Sequence, residues 1–351
     1  MSPRHRLTKR GRRLLAVAGF LLLTGAGSAL FLTYSWYERD SPAPLPDSGR
    51  VKRVEIPPRL TAEDVAKILE REGIIASASA FLVQARAQGA DGELRPGTYE
   101  FRVGQDYAEL IAALRRGGAP STFKVTLPEG LSADQAAERL SADTPVRGAE
   151  YLELAGRPDK FVVPLVGGMT PRVEDLEGLL FPSTYFIPED GGAADLIRLQ
   201  LAAFAAKTVD LPWRNAEALG VTPYQVVIVA SLIEKEARIP EERARVAAVI
   251  YNRLKKGMPL GIDASVRFAL KKWTGDLSKS DLEVDSPYNT RRYGGLPPGP
   301  IASPGLAALK AALEPEKVDF LYYVLIDAAG HHFFTSSYAD FLKAKAAARR
   351  Q

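Results

Sequence analysis

Cysteine is absent from all 351 residues, which excludes disulfides and thiolate chemistry and is compatible with export. Histidine is nearly absent as well. Of the three present, His331 and His332 are adjacent, so on a strand they point to opposite faces, and no third ligand stands at a suitable spacing for a metal. No P-loop, no dinucleotide fingerprint and no Ser-His-Asp arrangement in recognisable context occurs. A surplus of positive charge is missing from the body too. Six cations, Arg4, Arg6, Lys9, Arg10, Arg12 and Arg13, precede the first acid, and without them the formal +4 becomes −2. The pI near 9.1 therefore gives little support to a groove for nucleic-acid phosphates, and no nucleic-acid partner is expected. What is present is ordinary: 46% hydrophobic and 25% charged residues can bury a core, and the length suits about two domains.

The chain opens with a basic tail, residues 1–13. Residues 14–36, "LLAVAGFLLLTGAGSALFLTYSW", carry no charge and are long enough to cross a bilayer. With the cations before this run, the N-terminus is expected in the cytoplasm and everything after Trp36 outside, with Tyr34, Trp36 and Tyr37 in the interfacial belt. The competing reading is a cleaved signal peptide with "GSA" at 27–29 as its small-residue site, but the apolar run continues seven residues beyond. Residues 37–50, rich in Pro, Ser and charge, read as a stiff linker.

The globular part starts at 51. "VEIPPRLTAEDVAKIL" (54–69) is echoed 71 residues later by "VTLPEGLSADQAAERL" (125–140), each copy reading as a strand, a turn and a helix capped by Thr61 or Ser132. The first copy continues with a second helix at 77–89, a strand at 94–101 and a third helix at 106–116. Strand, helix, helix, strand is the order of a small sugar-binding LysM-like fold, assigned to 51–123, with a catalytic domain over 124–351.

In the second half, "TPYQ" (222–225) is a helix start: Thr222 as N-cap, Pro223 in the first turn and Gln225 closing a capping box. The helix should run to about Arg238, through Val226 to Ile233, which has no polar residue except Ser231 and so should be buried all round. A second helix follows Pro240 and should end at Gly257. Glu234, at the end of the apolar run, is either the point where a core helix emerges into water or a carboxylic acid whose pKa is raised by apolar surroundings. Glu236 lies about 200° away around the axis, so the two acids cannot form a same-face pair.

Four fragments choose between these readings: "EGLLFPSTYFIPED" (177–190), "ASLIEKEARIPEERARVAAVIYNRLKKGMPL" (230–260), "SPYNTRRYGGLPPGPIASPGLAALKAAL" (286–313) and "FLYYVLIDAAGHHFFTSSYADF" (320–341). In content and order the chain resembles the MltG (YceG-like) family of membrane-anchored endolytic murein transglycosylases. The resemblance implies an α+β protein: an anchor, a LysM-like module and a mixed α/β catalytic domain of YceG-like type. It implies a lyase in the cytoplasmic membrane that cuts the β-1,4 bond between N-acetylmuramic acid and N-acetylglucosamine in nascent peptidoglycan strands, ending elongation with a 1,6-anhydromuramoyl end. It needs no cofactor and works beside peptidoglycan synthases. The family's catalytic glutamate falls on Glu234, an acid of its "DPTV" motif on Asp263, and a further family position on His331. Tyr288 and Asn289, in a loop suited to line a cleft, offer hydrogen bonds to a sugar or serve as turn residues; Glu236 reads as a supporting acid. Ala264 and Ser265 replace the usual Pro and Thr, Ser183 an Asp, and Phe341 a His. A non-catalytic peptidoglycan-binding scaffold is the alternative these departures leave open.

Overall fold

The structure, a computed structural model, describes residues 45–46, 48–119 and 121–348. The uncharged run at 14–36 lies outside them; among the described residues no helix is long and apolar enough to cross a membrane. The chain divides into two compact units, one ending at Ser121 and the other beginning at Thr122.

In the first unit the order is strand, helix, helix, strand, helix: β1 (Val51–Ile56), α1 (Ala62–Arg71), α2 (Ala78–Ala87), β2 (Gly97–Arg102) and α3 (Tyr107–Arg116). β1 and β2 pair antiparallel, with Val51 opposite Arg102 and Ile56 opposite Gly97. Their alternation puts Val54, Ile56, Tyr99 and Phe101 on one face, and Leu69, Phe81, Leu110 and Leu114 from the helices close over it, all buried.

The second unit begins by repeating this theme. β3 (Thr122–Leu127), α4 (Ala133–Asp143), α5 (Gly148–Ala155) and β4 (Ser183–Pro188) again give strand, helix, helix, strand, with Leu127 opposite Ser183. The internal duplication is visible at atomic detail: Thr61 and Ser132 each cap their helix through a capping box. The turn before each cap passes through positive φ at equivalent positions, +65° at Arg59 and +79° at Gly130.

After α6 (Ala193–Thr208) and the short α7 (Asn215–Ala218) comes α8 (Pro223–Glu236), capped by Thr222 and Gln225 as its sequence dictates. It ends at Glu236 because Ala237 and Ile239 are extended before the 3-10 turn at Pro240–Glu242. α9 (Arg243–Lys255) turns back and packs on α8, as do α10 (Asp263–Leu270) and α12 (Leu306–Leu313); α11 (Lys279–Leu282) intervenes. Surrounded on all sides, α8 has every residue from Val226 to Ile233 buried, each large apolar side chain stabilising by about 1.5–3 kcal/mol. Ser231 is accommodated there because it donates to Ile228 O at 2.7 Å and accepts from Ile301 N at 3.1 Å. The hairpin β5 (Tyr322–Leu325) and β6 (His332–Thr335) and helix α13 (Tyr338–Ala348) are the last elements among the described residues. Among the described residues every sheet is two-stranded and antiparallel, so the second unit is mixed α and β with helices dominant.

Candidate active site

The last turn of α8 leaves the core at Glu234, Lys235 and Glu236, and helical geometry sends the two acids to different surroundings as expected. Glu234 points to the N-terminus of α12. Its Oε2 accepts the N–H of Gly305 at 2.9 Å, its Oε1 lies 3.9 Å from the Arg243 guanidinium, and its side chain is only 8% exposed. Lys235 donates to Gly130 O at 2.9 Å, which draws the 128–131 turn against the same helix end. That turn is pinned to the 300–305 loop by Gly130 N to Ser303 O and Ser303 N to Leu131 O. Three sequence motifs, "PEGLS", "EKEAR" and "IASPG", thus converge on one carboxyl group.

Burial raises the Glu234 pKa above the ordinary carboxylate value. The Gly305 N–H opposes this, the negative charge of Glu129 adds to it, and Arg243 and Lys235 oppose it again. The result is an acid whose proton is held more firmly than an ordinary carboxyl's, which is what a general acid requires.

Glu236 is half-buried on the other side. Tyr323 donates to its Oε2 at 2.8 Å, and the rings of Tyr323 and His332 meet edge-on at 5.4 Å. Glu242 then grips His332 twice, through the backbone N–H at 3.0 Å and Nδ1 at 2.7 Å. This network fastens the β5–β6 hairpin to the end of α8. Burial raises the Glu236 pKa, and the Tyr323 bond opposes it. Tyr323→Phe should cost about 1 kcal/mol, seen as a lowered urea midpoint, because a half-buried carboxyl loses its donor.

The remaining sequence-derived candidates fall outside the Glu234 contact set. Asp263 is held by Arg291 Nε at 2.7 Å, and its charge acts on Glu236. Asn289 is fully buried: its amide donates to Leu282 O and Val284 O and its carbonyl accepts from Arg291 N, so it organises its loop and presents no surface to a sugar. Its neighbour Thr290 shares hydrogen bonds with Ser265, at the departure from the family pattern. Tyr288 packs on Phe268 with ring centroids 4.9 Å apart, and burial beside Asp175 and Glu177 raises its pKa. His331 is exposed in the hairpin turn and bonded to Asp327 at 2.8 Å; the imidazole that joins the Glu236 network is that of His332.

The sequence reading passed over Glu129, Glu177 and Arg243. Glu177 is 4% exposed; its Oε2 accepts from Ala133 N, the first residue of α4, at 2.8 Å, and its buried Oε1 has no hydrogen-bond partner among the described residues. Burial pushes its pKa up to about 8, so it is a neutral acid near pH 7. Its sequence signal was the same as that of Glu234, a carboxylate against an apolar run. The next residue, Gly178, has φ +78°, and a Cβ there would come within 2.5 Å of Pro300 and 3.2 Å of Val227. Gly178→Ala should destabilise by about 2–3 kcal/mol in chemical denaturation, combining left-handed strain with overpacking of the loop that leads to Gly305.

A cavity of about 1000 Å³ elsewhere in this unit, lined by Tyr251, Asn252, Glu316 and Phe320 among others, contains none of these candidates. Three of its polar side chains are engaged within the fold: Tyr251 bonds Ala312 O, Asn252 bonds Val318 O and Phe320 O, and Glu316 pairs with Arg245. Among the described residues no group of three His, Cys, Asp or Glu side chains is placed to hold a metal ion.

The model of the YceG-like family matches residues 54–347, which takes in both units and all the motifs above. The chain belongs to the YceG-like family. Among curated YceG-like relatives, the endolytic murein transglycosylase of Bacillus subtilis (strain 168) is 32% identical over 310 residues, covering 85% of each chain. The endolytic murein transglycosylase of Streptococcus pneumoniae (strain R6) is 29% identical over 347 residues, 92% of this chain and 62% of the pneumococcal protein, so this chain spans less than two thirds of that relative. A crystal structure of a YceG-like protein from Listeria monocytogenes shares the fold at 30% identity and TM-score 0.56, covering 84% of this chain and 99% of the other.

Proposed function

We propose that this YceG-like protein is an endolytic peptidoglycan lytic transglycosylase with Glu234 as its catalytic acid. The observation that carries the reading is the Glu234 carboxyl, nearly enclosed, fixed by the Gly305 N–H and raised in pKa by its burial. The names of the curated relatives support the same activity.

The chemistry needs one acid. Glu234 protonates the oxygen linking N-acetylmuramic acid to N-acetylglucosamine, and the anomeric C–O bond breaks with its electron pair on that oxygen. The C6 hydroxyl of the muramic acid attacks the anomeric carbon, already held near it within the same ring, which replaces a bound water and the carboxylate that would activate it. The hydroxyl proton passes to the Glu234 carboxylate, restoring the acid and leaving a 1,6-anhydromuramoyl end. No water is consumed and no cofactor is required.

In this reading residues 14–36 anchor the chain in the cytoplasmic membrane with residues 1–13 inside and the rest outside. The first unit, LysM-like, holds glycan for the second, and cleavage of nascent strands beside peptidoglycan synthases ends their elongation. The uncharged run, the basic tail before it and the strand-helix-helix-strand order of the first unit support this. The test is to incubate the protein with peptidoglycan and identify the products by mass spectrometry. Anhydromuramoyl ends are expected; intact strands, or binding that leaves strands uncut, would favour a scaffold instead.

A further inference from the structure

We propose that Glu129 is the second carboxylate of this site, the anion that faces the positive charge developing on the muramic acid ring while Glu234 protonates the leaving oxygen. The proposal rests on the reading of Glu234 given above.

Four observations carry it. The Glu129 side chain is exposed, and among the described residues no hydrogen bond or ion pair engages it. Its carboxyl lies against the Cα of Gly305, the residue whose N–H bonds Glu234, so a single glycine separates the two acids; a Cβ built on Gly305 would overlap the Glu129 carboxyl. Gly305 has φ −78° and ψ 170°, a backbone open to any residue, so conformation does not require the glycine, and the Glu129 carboxyl occupies the space a side chain would take. The internal duplication supplies a control. The equivalent turn in the first unit has Pro58 and Arg59 where the second has Glu129 and Gly130, yet it turns through positive φ and reaches the same capping box. The turn therefore forms without a glutamate.

The charges around Glu234 give this anion its use. Arg243 from the start of α9, Lys235 from α8 and the N-terminus of α12 all favour the carboxylate form of Glu234 and disfavour an oxocarbenium-like sugar beside it. Glu129 is the negative charge that acts against them. Glycosidases with two carboxylates use the second as nucleophile or base. Here the C6 hydroxyl forms the new bond and its proton returns to Glu234, so Glu129 exchanges no proton and forms no bond. Its part is electrostatic, strongest when positive charge peaks.

The experiment uses the full chain and uncrosslinked peptidoglycan strands, with rates of anhydromuramoyl formation measured against pH. Glu129→Gln should lower kcat roughly tenfold or more, at the low end for an electrostatic group because the side chain is exposed, with KM little changed. The alkaline limb of its profile should move to lower pH, since Glu234 loses its anionic neighbour. Glu129→Asp should keep the limb near its wild-type position. Gly305→Ala, which pushes the carboxyl aside without straining the backbone, should slow the wild type and have little further effect on Glu129→Gln. A Glu129→Gln enzyme with wild-type kcat and an unmoved limb overturns the proposal, as does a Gly305→Ala loss that is equal in both backgrounds. If the wild type forms no anhydromuramoyl ends, the reading of Glu234 fails; if it forms them and only the Glu129 results are negative, this inference alone fails.

Discussion

Glu234→Gln is expected to reduce the rate of strand cleavage on the order of a thousandfold while leaving the fold intact. Glutamine keeps the shape of the acid and an oxygen to accept the Gly305 N–H at the position now 2.9 Å away, but it has no proton to give. The change also removes a buried group whose pKa is raised, so the melting temperature should stay level or rise above neutral pH. In the wild type, activity should fall as pH rises through the raised Glu234 pKa, and that limb should lie above the range of an ordinary carboxylate. Cleavage by the Gln variant within tenfold of wild type would remove Glu234 from the chemistry.

Glu177→Gln should change how stability depends on pH. In the folded protein Glu177 keeps its proton up to about pH 8, whereas in the unfolded chain it releases it near 4.5. Between those values the unfolded state binds fewer protons, so this group's contribution declines as pH rises from about 4.5 to about 8 and stays low above. At about 1.4 kcal/mol per unit the span corresponds to roughly 5 kcal/mol. Glutamine imitates the neutral acid, accepts from Ala133 N in the same way and does not titrate. The variant should therefore match the wild type near pH 5 and exceed it by a few kcal/mol at pH 9, measured as urea midpoints across pH. Parallel curves would mean that Glu177 is not a neutral buried acid.

The elements were legible where local chemistry decides them. Thr222, Pro223 and Gln225 start α8, the run from Val226 to Ile233 requires burial, and the 200° between Glu234 and Glu236 follows from helical geometry alone. The duplicated strand-turn-helix was readable because both copies spell the same cap. The site was legible only at its centre. Glu129 and Arg243 reach Glu234 from segments about a hundred residues upstream and a turn downstream, across contacts that no periodicity encodes. Asn289 shows the opposite case. A polar residue in a Pro- and Gly-flanked loop looks free to bind a sugar, yet the loop's own carbonyls take both amide protons. Between two adjacent histidines the alternation of a strand says that one is buried, and only the packing of Tyr323 and Glu242 makes it His332.

The most direct measurement is mass spectrometry of peptidoglycan strands digested in heavy-oxygen water. The account predicts new muramic acid ends lighter by one water than a reducing end and free of the heavy isotope, formed by the wild type and not by Glu234→Gln. Reducing ends that carry the heavy oxygen would show hydrolysis and contradict it.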